Sequence, residues 1–357
     1  MIKVLIVDDS ALVRQLLTSI LESDREIQVV GVAADPYVAR DKIKKLKPDV
    51  LTLDVEMPRM DGITFLGNLM RLRPMPVVMI STLTEKGADV TLRALEFGAI
   101  DFISKPKLDV SAQLSDYSAD IISKVKAAAN ANVKPLDRKQ SSSTVENKKS
   151  ADVVLSKTMN HHFRTTDKII GIGSSTGGTE AIKDVVQGLP PDMPGIVISQ
   201  HIPEAFSGPF AKRVDSLTSL TVVEARDGQQ IVPGYVYIAP GNRHLLVKRN
   251  GARYVCSLHD GEPVNRHKPS VDVMFRSLAQ NAGPNALALM LTGMGDDGAE
   301  GMGEMKQAGS TTIAQDEKSS VVWGMPGEAV KRGYVDEILP LSQIGRRLIE
   351  LVNQAPH

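Results

Sequence analysis

The sequence predicts an α/β protein of two domains, each built on a parallel β-sheet, joined by a polar tether. Three observations predict this class. Short, wholly apolar runs alternate with segments whose apolar residues recur at helical spacing, the pattern of parallel strands covered on both faces by crossover helices. Polar residues able to do chemistry stand where those runs end, and in such sheets functional groups gather beyond the strands' carboxyl ends. Between two such series lies a stretch poor in apolar residues, too hydrophilic to bury a core. The domains are placed at residues 1–126 and 167–357, with a flexible linker over 127–166.

A chain of 357 residues has room for two domains of ordinary size. Lys+Arg and Asp+Glu are equal at 42 each, so nothing favours bulk attraction to nucleic acid or to a membrane surface. One cysteine, Cys256, excludes a disulfide framework and suits a reducing cytoplasm. The opening run, Met1-Ile2-Lys3-Val4-Leu5-Ile6-Val7, meets Asp8-Asp9 at once and reads as a buried strand rather than a signal peptide. No run is long enough to span a bilayer. A cytoplasmic protein without membrane insertion is expected.

In the first domain, Val4-Leu5-Ile6-Val7 predicts a strand, and Leu12, Val13, Leu16, Leu17, Ile20 and Leu21 the helix after it. Residues 27–32, 50–53, 77–80 and 101–103 predict four further strands. The first strand runs out into Asp8-Asp9, the third ends in Asp54, the fourth in Ser81-Thr82, and the fifth leads to Lys105-Pro106. Three carboxylates at one sheet edge repel one another unless a cation sits among them, and hard oxygen ligands with room for water suit Mg²⁺. A carboxylate beside Mg²⁺ can attack a phosphoryl group and become an acyl phosphate. A lysine and a hydroxyl then hold the phosphoryl oxygens. One aspartate at a strand end is more often a helix cap; the ordered set carries this reading.

These residues, with the Asp54-x-x-Met57-Pro58 context and the Lys105-Pro106 pair, resemble the receiver domain of bacterial response regulators across roughly residues 1–127. The resemblance implies a flavodoxin-like fold on a parallel five-stranded sheet. It implies Asp54 as phospho-acceptor, Asp8 and Asp9 with Asp54 as holders of Mg²⁺, and Ser81 and Lys105 as contacts to the phosphoryl group. Phe102 stands where the family keeps a switch aromatic, often Tyr, and lacks that residue's hydroxyl.

From about residue 125 the pattern decays. Asp137-Arg138-Lys139-Gln140-Ser141-Ser142-Ser143 and Glu146-Asn147-Lys148-Lys149-Ser150 read as solvated tether, and His161-His162 is too isolated to propose a metal site. A tether holds one domain at high effective concentration beside the other.

The second domain is organised around Gly171-Ile172-Gly173-Ser174-Ser175-Thr176-Gly177-Gly178, which follows the apolar Lys168-Ile169-Ile170 and leads into a helix start at Thr179-Glu180-Ala181-Ile182. A strand, a tight glycine turn and a helix N-terminus hold a hydroxyl beside backbone donors. Gly173-Ser174-Ser175-Thr176-Gly177 fits G-x-S-x-G, and that register selects Ser175 over Ser174. A dinucleotide turn fits less well. Gly177 comes one residue late for G-x-G-x-x-G, and the next strand, 195–199, ends in Gln200-His201 rather than in an acid for a ribose. A helix over 204–214 and strand alternation at 235–239, 245–247 and 253–258 follow, the latter read as a β-hairpin insert. Ser270 precedes a helical pattern as an N-cap. The apolar run 286–291 ends in Thr292-Gly293-Met294-Gly295-Asp296-Asp297-Gly298, and 311–314 and 334–338 predict later strands. Three strand ends therefore present a serine, a histidine and an aspartate at 296 or 297. That set supplies a nucleophile, a base and a carboxylate to fix the base's tautomer. His244, His259 and His267 compete as base, but none directly ends a strong core strand.

The motifs at 173–178, Ser199-Gln200-His201-Ile202-Pro203, Pro269-Ser270-Val271-Asp272 and 291–298 together resemble the protein-glutamate methylesterases of bacterial chemotaxis. The similarity covers nearly the whole chain except the linker. It implies a doubly wound α/β catalytic domain and a triad of Ser175, His201 and Asp297. Asp296 stands where the family often has Asn, which favours Asp297 as the catalytic carboxylate. Backbone N–H groups at Thr176 and Met294 are the oxyanion candidates. The implied activity is hydrolysis of glutamyl methyl esters on chemoreceptors with release of methanol, together with deamidation of receptor glutamines. The implied partners are a chemotaxis histidine kinase as phosphodonor and methyl-accepting receptors as substrate. No cofactor is expected in the catalytic domain. A rival class, a phosphorylation-gated binding or scaffold module, leaves the serine, histidine and aspartate without a task. A transcriptional version would need a helix-turn-helix and a basic recognition face, and the sequence has neither.

Overall fold

The computed structural model describes residues 1–57, 60–82, 84–105, 114–131, 133, 155 and 167–354. Pro58, Pro106, His161-His162 and nearly all of 134–166 lie outside the described residues. The chain divides into two compact units, Met1–Ser143 and Thr144–His357.

In the first unit, five parallel strands pair in the order β2-β1-β3-β4-β5: β1 (Ile2–Val7), β2 (Ile27–Ala33), β3 (Val50–Asp54), β4 (Val77–Ser81) and β5 (Asp101–Ser104). Every residue of β3 and β4 is buried, as a sheet covered on both faces requires. The crossover helices begin at side chains that satisfy their first amides. Ser10 accepts from Val13 N before α1 (Ala11–Glu22), and Asp35 from Tyr37 N and Val38 N before α2 (Pro36–Leu46). Asp61 accepts from Thr64 N before α3 (Gly62–Leu72), and Thr84 from Gly87 N before α4 (Glu85–Glu96). The last helix, α5 (Leu114–Ala129), carries Ala127, Ala128 and Ala129 past residue 126, as expected for the strongest helix former.

The second unit holds a seven-stranded sheet in the order β15-β14-β13-β6-β7-β10-β8. Its strands are β6 (Ile169–Ser174), β7 (Gly195–Gln200), β8 (Thr221–Glu224), β10 (Tyr235–Ile238), β13 (Ala286–Met290), β14 (Thr311–Gln315) and β15 (Glu337–Leu339), and each pairing is parallel. The helices are α6 (Gly178–Gln187), α7 (Glu204–Asp215), α8 (Val271–Asn281), α9 (Ala299–Gln307), α10 (Met325–Lys331) and α11 (Leu341–Asn353). The hairpin insert is β11 (His244–Asn250) with β12 (Arg253–His259), widened to three antiparallel strands by β9 (Gln230–Ile231). Tyr235–Ile238, read in the same alternating stretch, instead joins the parallel sheet between β7 and β8.

The glycine-rich stretch also differs from its sequence reading. Gly171 and Gly173 belong to β6, not to the turn. A Cβ on Gly171 would overlap Leu278 Cδ1, and one on Gly173 would overlap Val271 Cγ1. Both glycines let α8 lie directly against the strand. The turn proper is Ser175 to Gly177, with Gly177 at φ 76°, a conformation glycine adopts without steric cost.

Leu155 is the one described residue between 134 and 166. It packs on Leu246, Val264 and Val273, and its carbonyl accepts from Arg276 Nη1 at 2.7 Å. No helix among the described residues is long and apolar enough to cross a membrane.

Candidate active site

In the first unit the strand ends converge as the sequence leads one to expect. Carboxylate oxygens of Asp8, Asp9 and Asp54 lie within 4.8 Å of one another, Asp8 and Asp54 buried and Asp9 exposed. Lys105 Nζ donates to Asp54 Oδ2 at 2.7 Å and stands 3.6 Å from Asp8 Oδ2. Asp8 Oδ2 is buried and has no hydrogen-bond partner. Burial lifts the Asp54 carboxyl to about 6, with the Asp8 charge adding and Lys105 opposing. Burial raises Asp8 as well. Three hard oxygen donors, one of them an orphaned buried atom, fit a small divalent cation.

Ser81, at the end of β4, is buried; its hydroxyl accepts from Thr91 Oγ1 at 2.7 Å, on α4. Phe102 is buried, with Lys124 Nζ 5.4 Å from its ring centroid and donating to its carbonyl at 2.8 Å. Lys124 covers the aromatic position, a neighbour that the sequence reading did not include.

In the second unit Ser175 is half-buried at the tip of the turn after β6. Ser174 is excluded as an open nucleophile because it is fully buried and donates to Gln200 Oε1 at 2.6 Å. The same glutamine donates through Nε2 to Ser175 O at 2.9 Å and His201 O at 3.2 Å. Gln200 thus fastens the serine turn to the end of β7, where His201 N also donates to Ser174 O at 3.2 Å.

His201 Nε2 is 2.8 Å from Asp297 Oδ2. An ionised carboxylate only accepts, so Nε2 carries the proton and Nδ1 the lone pair. Nδ1 is buried and has no hydrogen-bond partner. Asp297 is 1% exposed and collects four further donors. Val271 N reaches Oδ2 at 2.7 Å. Ser270 Oγ, Asn265 Nδ2 and Asp272 N reach Oδ1 at 2.7, 2.9 and 3.4 Å. The carboxylate therefore sits on the N-terminus of α8, where amides and the helix dipole favour an anion. Burial would raise its pKa, but the hydrogen bonds from His201 and Asn265 hold it well below the ordinary carboxylate range. Asp296 turns elsewhere, 3.3 Å from Arg332 Nη2, so the two adjacent aspartates are distinguished by their partners.

The loop from β13 touches the serine turn directly. Ser175 N donates to Thr292 O at 3.1 Å, and Thr292 Oγ1 to Thr176 O at 3.0 Å. A Cβ on Gly293 would lie 3.0 Å from Ser175 N and Cβ. Thr176, buried, and Met294, half-buried, thus belong to the two loops that meet at Ser175.

Of the other histidines, His244 is wholly buried; its Nε2 donates to Glu262 O at 2.9 Å and its Nδ1 accepts from Ser270 N at 3.1 Å. Burial lowers its pKa, as suits a neutral structural imidazole. Exposed His259 accepts from Gly261 N at 2.9 Å. His267 stacks on His201, ring centroids 3.7 Å apart and planes 10° from parallel. Gln200, Asn265 and Ser270 supply contacts that sequence reasoning missed. Only Ser270 had a local signal, as a helix cap.

Comparison with known proteins follows the same division. Residues 170–348 match the family model described as CheB methylesterase, and residues 4–113 that of the response regulator receiver domain. The chain is 57% identical over 354 residues to protein-glutamate methylesterase/protein-glutamine glutaminase 1 of Xanthomonas euvesicatoria, covering 99% of this chain and 98% of the other. It is 59% identical over 348 residues to a protein of that name from Geobacter metallireducens, covering 97% and 95%. The crystal structure of the CheB methylesterase catalytic domain of Thermotoga maritima matches with a TM-score of 0.51 at 41% identity, over 52% of this chain and 98% of that chain.

Proposed function

The chain belongs to the CheB methylesterase family, and from that membership we propose that it is a phosphorylation-activated hydrolase removing methyl groups from glutamate methyl esters on chemoreceptors and deamidating receptor glutamines. The single observation that carries the mechanism is the His201–Asp297 pair, with Nε2 fixed at 2.8 Å and Nδ1 buried without a partner. Ser175 Oγ attacks the ester carbonyl. His201 Nδ1 takes the hydroxyl proton and returns it to the departing methoxide, releasing methanol; water then hydrolyses the acyl-enzyme by the same route. Asp297 holds the tautomer that leaves Nδ1 basic and stabilises the imidazolium. Backbone N–H groups of Thr176 and Met294 are assigned to the developing oxyanion. Their support is the approach of the 292–298 loop to Ser175.

In the receiver, Asp54 is assigned as phospho-acceptor, with Ser81 and Lys105 holding the phosphoryl oxygens. Asp8, Asp9 and Asp54 would hold Mg²⁺, which when bound offsets the charge of the incoming phosphoryl group. A chemotaxis histidine kinase is the proposed phosphodonor and methyl-accepting receptors the substrate. A cytoplasmic setting fits those partners, with the receiver at 1–126, the linker at 127–166 and the catalytic domain at 167–357. Phosphorylation needs to shift an equilibrium by only a few kcal/mol to change the active population by orders of magnitude.

The test is methanol release from methylated receptor membranes by the full-length protein, with and without Mg²⁺ and a small phosphodonor. Stimulated release is expected. Ser175 should also react with a serine-directed phosphonate in a manner that depends on His201. Absence of release from folded protein supplied with a cognate receptor would overturn the assignment.

A further inference from the structure

One short element touches both members of the His201–Asp297 pair. Val264 and His267 face each other across two hydrogen bonds, Val264 N to His267 O at 3.1 Å and His267 N to Val264 O at 2.8 Å. The two residues between them, Asn265 and Arg266, have φ of 51° and 69°. Two consecutive left-handed residues close a primed turn. Asparagine accepts that conformation readily, whereas for arginine it is disfavoured. Residues held in such conformations persist only where surrounding structure fixes them, and they cluster at functional sites. Here Val264 is fully buried with Leu246 and Val273, so the base of the turn is fixed in apolar packing.

The side chains that leave this turn go to the pair. Asn265 Nδ2 donates to Asp297 Oδ1 at 2.9 Å and to Asp272 Oδ2 at 2.6 Å. One amide nitrogen thus spends both hydrogens on two buried carboxyl groups. Asp272 is held from its other side by Gly301 N at 2.6 Å. His267 lies face-on to His201. Asp297 fixes the edge of the imidazole; His267 covers a face and limits rotation about the remaining bond.

We infer that the Val264–His267 turn is a positioning clamp for the hydrolysis, in which Asn265 orients Asp297 and His267 orients the His201 ring. Neither residue is placed on the substrate; both act through the pair. The inference rests on the hydrolase reading of Ser175, His201 and Asp297. A misplacement of a reacting group by about 1 Å can lower the rate roughly a hundredfold.

The experiment compares the full-length protein with H267A, H267F, N265G and S175A, measuring kcat and KM for methanol release from methylated receptor membranes. H267A is expected to lower kcat roughly ten- to a hundredfold with KM changed less than about twofold, because positioning acts on the reacting atoms and not on receptor binding. H267F keeps a flat ring without nitrogens and should recover kcat to within about threefold of the parent. N265G keeps the left-handed backbone but removes the amide, and should lose kcat roughly tenfold or more through misplacement of Asp297. Parental kcat in both H267A and N265G, with S175A inactive, would overturn the clamp and leave the hydrolase reading standing. An active S175A would overturn the hydrolase reading instead. If H267A does not fold, H267F and N265G decide: an H267F as slow as N265G removes the stacking argument, and a parental N265G removes the amide.

Discussion

Asp297→Asn is the perturbation whose size the structure lets one work out most fully. Asp297 presents two oxygens to five donors: His201 Nε2 and Val271 N on Oδ2, and Ser270 Oγ, Asn265 Nδ2 and Asp272 N on Oδ1. An asparagine offers one oxygen and one NH₂ group. With the NH₂ towards His201, it opposes Val271 N and can satisfy the imidazole only if Nε2 gives up its proton. The proton then resides on Nδ1, the atom proposed as base. With the NH₂ on the other side, it opposes Asn265 Nδ2 and Asp272 N, and the anion that supports the imidazolium is gone in either case. The wrong tautomer at an equivalent position in serine proteases lowers kcat about 10⁴-fold, equivalent to about 5.5 kcal/mol of barrier. The buried donor–donor contact adds a stability loss of about 1–3 kcal/mol. The assay is methanol release, paired with thermal unfolding. Asp296→Asn is the internal contrast: Asp296 pairs with Arg332, both partly exposed, and kcat should stay within about threefold because surface pairs contribute little. A D297N enzyme within tenfold of the parent, or a D296N enzyme as damaged as D297N, would refute the assignment.

Three further outcomes follow from the same geometry. Ser175→Ala should lower hydrolysis by roughly 10⁴-fold or more, while Ser174→Ala, which leaves the buried Gln200 Oε1 without its donor, should show chiefly a stability loss of about 1–3 kcal/mol; comparable rates in the two variants would contradict the choice of nucleophile. Asp54→Asn should abolish stimulation by a small phosphodonor with Mg²⁺, and stimulation that survives the change would reassign the phospho-acceptor. Burial, then the charge of Asp297, pushes Asp272 up to about 8 from 3.8. The folded protein therefore binds more protons than the unfolded chain between those values, and stability falls as pH rises from about 4 to 8. Asp272→Asn should flatten that fall in melting temperature measured from pH 5 to 8, and an unchanged slope would refute the assignment of the proton to Asp272.

Much of the fold was legible because buried parallel strands leave a local signal. Residues 77–80 are a continuous apolar run and 50–53 is broken only by Thr52, and the structure makes β3 and β4 wholly buried. The polar residues ending those runs could be listed in advance because chain direction alone brings them to one edge. Boundaries were less clear where a residue's reason lies elsewhere in the chain. Gly171 and Gly173 looked like turn residues, yet they are strand positions emptied to receive Leu278 and Val271. Tyr235–Ile238 alternates like its neighbours and still pairs with β7 and β8. In the site, His201 and the 296–297 pair were visible as strand ends. The partners of Gln200, Asn265 and His267 were not, since nothing within a few residues of each reveals which distant loop it meets.

Because α8 rests on the backbone of the serine strand, the amides of Val271 and Asp272 that receive Asp297 stand at a height set by missing side chains. Ser175, the proposed nucleophile, and the Asp297 carboxylate therefore share a foundation: β6 carries Ser175 at its end, and the helix seated on β6 carries the docking point of Asp297. A methyl group added at residue 173 would lift that docking point relative to the serine turn. Pressing on Val271, it would be felt as a change in alignment between Ser175 and Asp297.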